Sequence, residues 1–247
     1  MFKHQLPVIQ ELRAVKTSRE VSYIVKAQRI SEAVLGRVVK RLRAGVTEIA
    51  LARFIVAEFK RRGIKALAFE PIVSFGKNTT NIHHEPGRAK LRRGNTVMFD
   101  FGCTVNSYCS DMTRTYFFGQ PTAKQKRIYV AVLAAQERAL NLLSAGERRT
   151  GVVDAAVRRF LTKKFGPNAF LHGLGHGVGT AIHEWPSLKA KSPDVLKPSM
   201  VVTLEPGVYL KGWGGVRIED MVVIRENGIK NLTKVSKDLK YVTVKNY

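Results

Sequence analysis

The sequence predicts a mixed α+β domain whose two halves share one plan, and three observations carry that expectation. Apolar residues at helical spacing come in two pairs of segments, near 17–63 and 122–165. Strand-like apolar runs follow each pair. No linker rich in Pro, Gly or Ser separates them, so one domain is the simplest organisation. A chain of 247 residues is long enough to bury roughly 70–75% of the surface its unfolded form exposes.

The elements are taken in chain order. Residues 1–16 read as an N-terminal extension that alternates polar and apolar residues and lacks a signal-peptide apolar region. A helix is expected over 17–43, with Thr17 as N-cap and Glu20 completing a capping box. Ile24, Val34, Val38 and Leu42 supply its apolar stripe, and Gly45 ends it. A second helix starts at Thr47, carries Leu51, Phe54, Ile55 and Phe59, and stops near Gly63. A third runs from Thr122, with Gln125 at the capping-box position, to about Leu143. A fourth covers 151–165. Strands are expected at 69–75, 96–105, 107–118, 200–204, 216–225 and 240–244. Residues 17–247 are therefore read as a single domain with no separate N-terminal domain.

Composition narrows the class. No apolar run approaches the ~18–20 residues of a membrane span, so a membrane partner is not expected and the cytoplasm is the default location. The two cysteines, Cys103 and Cys109, do not form a CxxC pair and read as small buried residues. Lys and Arg number 42 against 19 Asp and Glu, a formal +23. Such an excess normally points to a polyanion. Here the basic residues are scattered and not interleaved with aromatic stacking platforms, so nucleic acid is an unlikely partner and a basic solvated surface is the main reading.

The chemistry concentrates in three places. Asp100 sits in the apolar run Val97-Met98-Phe99-Asp100-Phe101-Gly102, and Asp111 in Ser110-Asp111-Met112-Thr113-Arg114-Thr115. An acid inside an apolar strand is costly unless paired or metal-bound. Asn106-Ser107 suits a tight hairpin that would place the two acids on one face, opposite or diagonal. Solvated acids capping a turn are the competing reading. The second place is His172-Gly173-Leu174-Gly175-His176-Gly177-Val178-Gly179 with His183-Glu184-Trp185-Pro186. All six histidines except His4 fall here or at His83 and His84, a clustering that suits ligands, proton carriers or oxyanion donors. The third is Thr203-Leu204-Glu205-Pro206-Gly207 and Gly214-Gly215-Val216-Arg217-Ile218-Glu219-Asp220. Arg217 and Glu219, two apart on a strand, are expected to pair with each other. Together Asp100, Asp111, His176, Glu205 and Glu219 form an oxygen-rich set suited to two divalent ions, Mn²⁺ or Co²⁺ foremost, with Zn²⁺ or Fe²⁺ as alternatives.

As an ordered series, DFG, SDMTRT, HGLGHGVG, HEWP, TLEPG and GGVRIED resemble the catalytic domain of the M24 metallopeptidases over about residues 15–235. The resemblance implies the pita-bread (creatinase/aminopeptidase) fold, a curved antiparallel sheet covered by helices with pseudo-two-fold halves. It implies a dinuclear aminopeptidase or dipeptidase acting on N-terminal peptide bonds, of the Xaa-Pro branch. By it Asp100, Asp111, His176, Glu205 and Glu219 match metal ligands, with Asp111 and Glu219 bridging. Glu205 also matches the proton carrier. His83 matches a substrate-binding histidine, His183 the one that contacts the scissile carbonyl, and His172 one that lines the proline pocket. Thr113 and Arg217 match residues that orient the ligands. The chain departs from the pattern at Ile82-His83-His84, where Pro-His-Gly is usual, at Pro198-Ser199-Met200, and in lacking the extra N-terminal domain. That last departure leaves a homodimer open. Methionine aminopeptidase activity, another reaction on the scaffold such as creatine hydrolysis, and a binding module for nucleic acid or a ribosomal partner are the alternatives.

Overall fold

The computed structural model describes residues 5–245, with side chains from residue 9 onward; residues 1–4 of the expected extension and 246–247 lie outside it. The four expected helices are present as α2 (Ser18–Val39), α3 (Glu48–Arg61), α4 (Ala123–Ser144) and α5 (Thr150–Phe165). The starts of α2, α3 and α4 are set by the side chains that the sequence nominated, Thr17, Thr47 and Thr122. Thr17 Oγ1 accepts from the Glu20 N–H and the Glu20 carboxylate accepts from the Thr17 N–H, closing a capping box. Thr122 and Gln125 repeat the device on α4. Each box satisfies amides that the first helical turn leaves unpaired. An additional helix, α1 (Gln5–Ala14), lies in the segment read as an extension, where alternation of polar and apolar residues carried no helical period.

Two antiparallel sheets follow the two helix pairs. In the first, β1 (Ile72–Phe75), β2 (Thr96–Asp100) and β5 (Thr113–Phe118) lie side by side, and β13 (Thr243–Val244) joins β5 in parallel. Between β2 and β5 a small hairpin forms from β3 (Thr104–Val105) and β4 (Tyr108–Cys109). Its turn residues Asn106 and Ser107 have φ of 48° and 70°, the left-handed pair that a two-residue hairpin requires. The second sheet has the order β12 (Ile229–Asn231), β11 (Asp220–Ile224), β8 (Val201–Leu204), β6 (Gly175–Gly177), β7 (Glu184–Leu188). A separate ribbon pairs β9 (Gly207–Leu210) with β10 (Gly214–Arg217).

Several expected strands are shorter than read or broken. The 96–105 and 107–118 runs break at 101–103 and 110–112, where the two chains approach closely: a Cβ on Gly102 would overlap the Ser110 carbonyl oxygen. The 216–225 run breaks after Arg217. There the Ile218 and Glu219 amides leave the ladder and donate to the Pro206 and Thr113 carbonyls. At 240–244 the Asp238 side chain caps the Lys240 N–H at 3.0 Å, which starts the short helix α6 (Leu239–Val242), so only Thr243 and Val244 are strand.

The inner faces of α2–α5 and the sheets share one apolar core that includes Val34, Leu51, Phe99, Phe117, Val132, Val157 and Val202. Cys103 and Cys109 are buried free thiols, as read. Several buried polar groups bond across the joint between the halves. Gln136 of α4 is fully buried and donates to the carbonyls of Leu204 and Ile218 at 2.9 and 3.2 Å. Arg114 of β5, also fully buried, bonds Asp220 Oδ1 at 2.6 Å and the Glu219 carbonyl at 2.5 Å. Asp220 Oδ2 is held in addition by Lys237 and Asn231. Removing Arg114 strands a buried carboxylate that keeps only part of its support, a loss that typically costs about 3–5 kcal/mol. Arg114→Ala is therefore expected to lower stability by about 3 kcal/mol in urea unfolding. A loss below about 1 kcal/mol would show that the pair is not a strut.

Candidate metal centre and substrate pocket

The strand breaks described above are where the acids sit. Asp100 is the last residue of β2, paired with Thr113. The register of the β3–β4 hairpin continues that of β2–β5, so Asp111 falls opposite Gly102 and diagonal to Asp100, on one face. Glu219 occupies the gap between β10 and β11, and Glu205 the position just after β8, before Pro206. His176 is on β6, whose glycines let β8 come in: a Cβ on Gly175 would overlap the Thr203 carbonyl oxygen. The His176 N–H then reaches Thr203 Oγ1 at 3.1 Å.

Three of the five expected ligands converge without further movement. One atom each of Asp111, His176 and Glu219 lie within 4.8 Å of one another. Glu205 adjoins this cluster, its Oε1 3.4 Å from His176 Nε2, while Asp111 Oδ2 is 3.5 Å from the same nitrogen. Asp100 has Oδ2 bound to Arg217, and its Oδ1 is buried with no hydrogen-bond partner among the described residues. His176 Nδ1 is 3.0 Å from the Gly177 carbonyl. That contact places the ring proton on Nδ1 and leaves the Nε2 lone pair facing the carboxylates. An unpartnered buried carboxylate oxygen and an aimed imidazole lone pair are what a divalent cation takes up, so the residues present fit such ions.

Electrostatics agrees with that fit. Burial, then repulsion from Glu219, Asp100 and Glu205, pushes the Asp111 carboxyl well above its usual range. Burial, then Glu205 and Asp100, does the same to Glu219. Burial raises Asp100, which Arg217 partly offsets, and raises Glu205 to about 8. Burial lowers His176 to about 4 and His172 to about 3, so both rings are neutral near pH 7. Four acids that resist ionisation in a basic chain are a set awaiting positive charge.

Arg217 organises what surrounds the acids. Its Nη2 donates to Asp100 Oδ2 at 2.6 Å, Nε to Thr113 Oγ1 at 2.9 Å and Nη1 to the Tyr209 hydroxyl at 3.0 Å. Arg217 thus pairs with Asp100 rather than with Glu219, because the chain leaves the strand between them. The Thr113 hydroxyl in turn donates a hydrogen bond to Glu219 Oε2 at 2.8 Å. The Tyr209 hydroxyl lies 2.8 Å from His172 Nε2, whose Nδ1 is 2.7 Å from the Gly173 carbonyl. His172 therefore accepts the phenol proton, and Asp100, Arg217, Tyr209 and His172 form one chain of hydrogen bonds. Tyr209 was not singled out in the sequence; only the pairing of β9 with β10 reveals it, since Tyr209 faces Gly215, two residues from Arg217.

The remaining expected residues line the approach. His172 packs edge-on between Phe170 and Tyr209, with ring centroids 5.0 and 5.5 Å away. His183 is exposed and stands 4.3 Å, ring to ring, from His176. His83 is exposed too, near enough to lower the proton affinity of both His172 and His183. The residue next to His183, Glu184, bonds Arg13 and the buried Lys16, which anchors this rim to the end of α1.

Comparison with known proteins gives one consistent picture. Residues 22–226 match the family described as Metallopeptidase family M24. The chain is similar to an Xaa-Pro dipeptidase of Pyrococcus furiosus, at 38% identity over 96% of this chain and 68% of that protein. It is similar to a putative dipeptidase of Bacillus subtilis, YkvY, at 35% identity over 94% of this chain and 63% of that one. Its fold superposes on the crystal structure of an X-Pro aminopeptidase from Thermotoga maritima with a TM-score of 0.91 and 34% identity, covering 96% of this chain and 67% of that one. The chain thus spans about two thirds of the length of these relatives.

A pH prediction follows for the stripped protein. Glu205 keeps its proton in the folded state up to about pH 8, whereas its unperturbed value is 4.5. The stability it contributes is complete below 4.5 and is lost as pH rises to about 8. His172 and His176 act oppositely, but only below their ordinary 6.5. Between pH 6.5 and 8 the carboxylates dominate, so stability is expected to fall across that window. Added Mn²⁺ should abolish the fall. Urea midpoints that are flat or rising without metal would contradict this electrostatic account.

Proposed function

The chain belongs to metallopeptidase family M24, and from that membership we propose that it hydrolyses the N-terminal bond of Xaa-Pro peptides with two divalent metal ions. The observation that carries the reading is the convergence of Asp111, His176 and Glu219 within 4.8 Å, with Glu205 against His176 and Asp100 presenting a bare carboxylate oxygen. Asp100, Asp111, His176, Glu205 and Glu219 would hold the ions. By the family resemblance, Asp111 and Glu219 would serve both ions. Mn²⁺ or Co²⁺ suits a set of four carboxylates and one imidazole. When bound, two such ions supply Lewis acidity for the scissile carbonyl and a water of lowered pKa.

The chain's own groups do the rest. Glu205, beside His176 and raised toward neutrality, takes the proton of the attacking water and returns it to the leaving nitrogen. His183 and His83, facing the site from its exposed rim, donate to the oxygen that becomes negative in the tetrahedral intermediate. His172, held neutral between Phe170 and Tyr209, forms an apolar wall for a proline ring. A proline nitrogen offers no amide proton, so a wall of ring faces and edges selects it without needing an acceptor. Arg217 and Thr113 fix Asp100 and Glu219 so that their free oxygens stay aimed. We place this activity in residues 17–247 and in the cytoplasm, where Cys103 and Cys109 remain free thiols.

Stripped protein reloaded with Mn²⁺, Co²⁺ or Zn²⁺ is expected to cleave Xaa-Pro peptides in a library digest and to leave Met-Ala peptides largely intact. The reverse preference would overturn the substrate assignment. Asp111→Asn is expected to abolish turnover while the protein stays folded by circular dichroism. Full metal-dependent activity in that variant would remove the ligand set on which the proposal stands.

A further inference from the structure

Glu48 has no part in the chemistry above, yet it is fully withdrawn from water, with 0% exposure, at the first turn of α3. A carboxylate there is ordinarily solvated, where it favours the helix dipole. Here both oxygens turn away from the helix toward a single loop. Oε1 accepts from the Phe75 N–H at 2.7 Å and from Asn78 Nδ2 at 2.9 Å. Oε2 accepts from the Gly87 N–H at 3.1 Å and lies 2.8 Å from His84 Nε2. These partners are the entry, the exit and two interior points of the segment that carries His83.

The rest of that segment is tied down on either side. The Ile49 N–H donates to the Gly87 carbonyl at 2.9 Å, closing the exit against α3. The Gly215 N–H donates to Thr79 Oγ1 at 2.6 Å, fastening the loop to the ribbon that ends in Arg217. Among the described residues, His83 makes one hydrogen bond, from its backbone N–H to Asn81 Oδ1 at 3.3 Å. Its position over the pocket is therefore inherited from its neighbours. An ionised carboxylate has lone pairs enough for all four donors, whereas an amide in its place would turn an N–H₂ group on two of them.

We propose that Glu48, with His84 as its adjustable partner, is a positioning residue that holds His83 against substrate. His84 carries its proton on Nε2 in this arrangement and acts as the loop's inner latch, one residue from the histidine it aims. The proposal deepens the peptidase reading and rests on it for the role of His83; the clamp itself does not. It also gives His84, which stands where the family pattern has glycine, a definite task.

The test uses His84→Leu, which loses the donor, His84→Gln, which restores an N–H at the Nε2 position, and Glu48→Gln, each with and without His83→Ala. In the metal-free protein, hydrogen exchange of amides 75–87 is expected to quicken in His84→Leu and Glu48→Gln and to stay near wild type in His84→Gln. With Mn²⁺ and an Xaa-Pro dipeptide, His84→Leu is expected to lose about tenfold in kcat/KM. The loss should appear in kcat, because His83 donates to the oxygen that turns negative, with KM and calorimetric Mn²⁺ affinity little changed, and His84→Gln should recover it. In the His83→Ala background, His84→Leu should cost nothing further. A loss of equal size without His83, or one accompanied by weaker Mn²⁺ binding, would overturn the positioning role. If the wild type cleaves no peptide, the peptidase reading fails on its own. The exchange arm then decides the clamp: unchanged protection of 75–87 would refute it, and faster exchange would sustain it.

Discussion

Asp100, Asp111, Glu205 and Glu219 are brought together in a buried space against their mutual repulsion, with Arg217 as the fixed countercharge at their edge. One guanidinium cannot neutralise four carboxylates, and the site relieves the imbalance by holding protons or by taking up cations. Everything nearby serves to keep the acids from drifting apart. Each side chain leaves a strand end or a strand break, where the backbone is already fixed by ladders on either side. Removing an acid from this frame would relieve repulsion, so such a change is compatible with the fold.

The breaks themselves have a cause. A regular strand would turn Arg217 and Glu219, two positions apart, side by side to one face, whereas here Arg217 bonds Asp100 and Thr113 while Glu219 accepts from Thr113. Leaving the ladder at Ile218 and Glu219 separates the two, and the displaced amides find carbonyls at Pro206 and Thr113. The same logic applies at 101–103, where Gly102 allows the opposing chain to close in. Irregular backbone is thus concentrated at the centre while the core around it stays regular. The buried pair Arg114–Asp220 and the bonds from Gln136 supply rigidity across the joint between the two sheets.

Much of this was legible beforehand, for physical reasons that differ from element to element. Capping boxes are local, so Thr17–Glu20 and Thr122–Gln125 declared the helix starts directly. The hairpin at Asn106-Ser107 was legible because left-handed φ values favour such residues. The set of acids stood out because acids inside apolar runs need a reason to be there. By contrast, the strands at Gly175–Gly177 and Gly207–Leu210 carry too few side chains to show a period. Helix α1 hid behind an alternating pattern, and the 240–244 run looked extended until the Asp238 cap made it turn.

What the sequence determined alone is therefore chemical inventory and local form: which acids and histidines are available, where helices begin, and which family the ordered motifs resemble. Tertiary structure decided the partnerships. Arg217 binds Asp100 rather than Glu219, Tyr209 links Arg217 to His172, and Glu48 grips a loop whose ends lie 27 and 39 positions away along the chain. Spacing along a chain dictates neighbours only within a helix turn or a strand register. Contacts between distant segments depend on where the strands stop and which backbone groups are left unpaired, and those follow only from the packed whole.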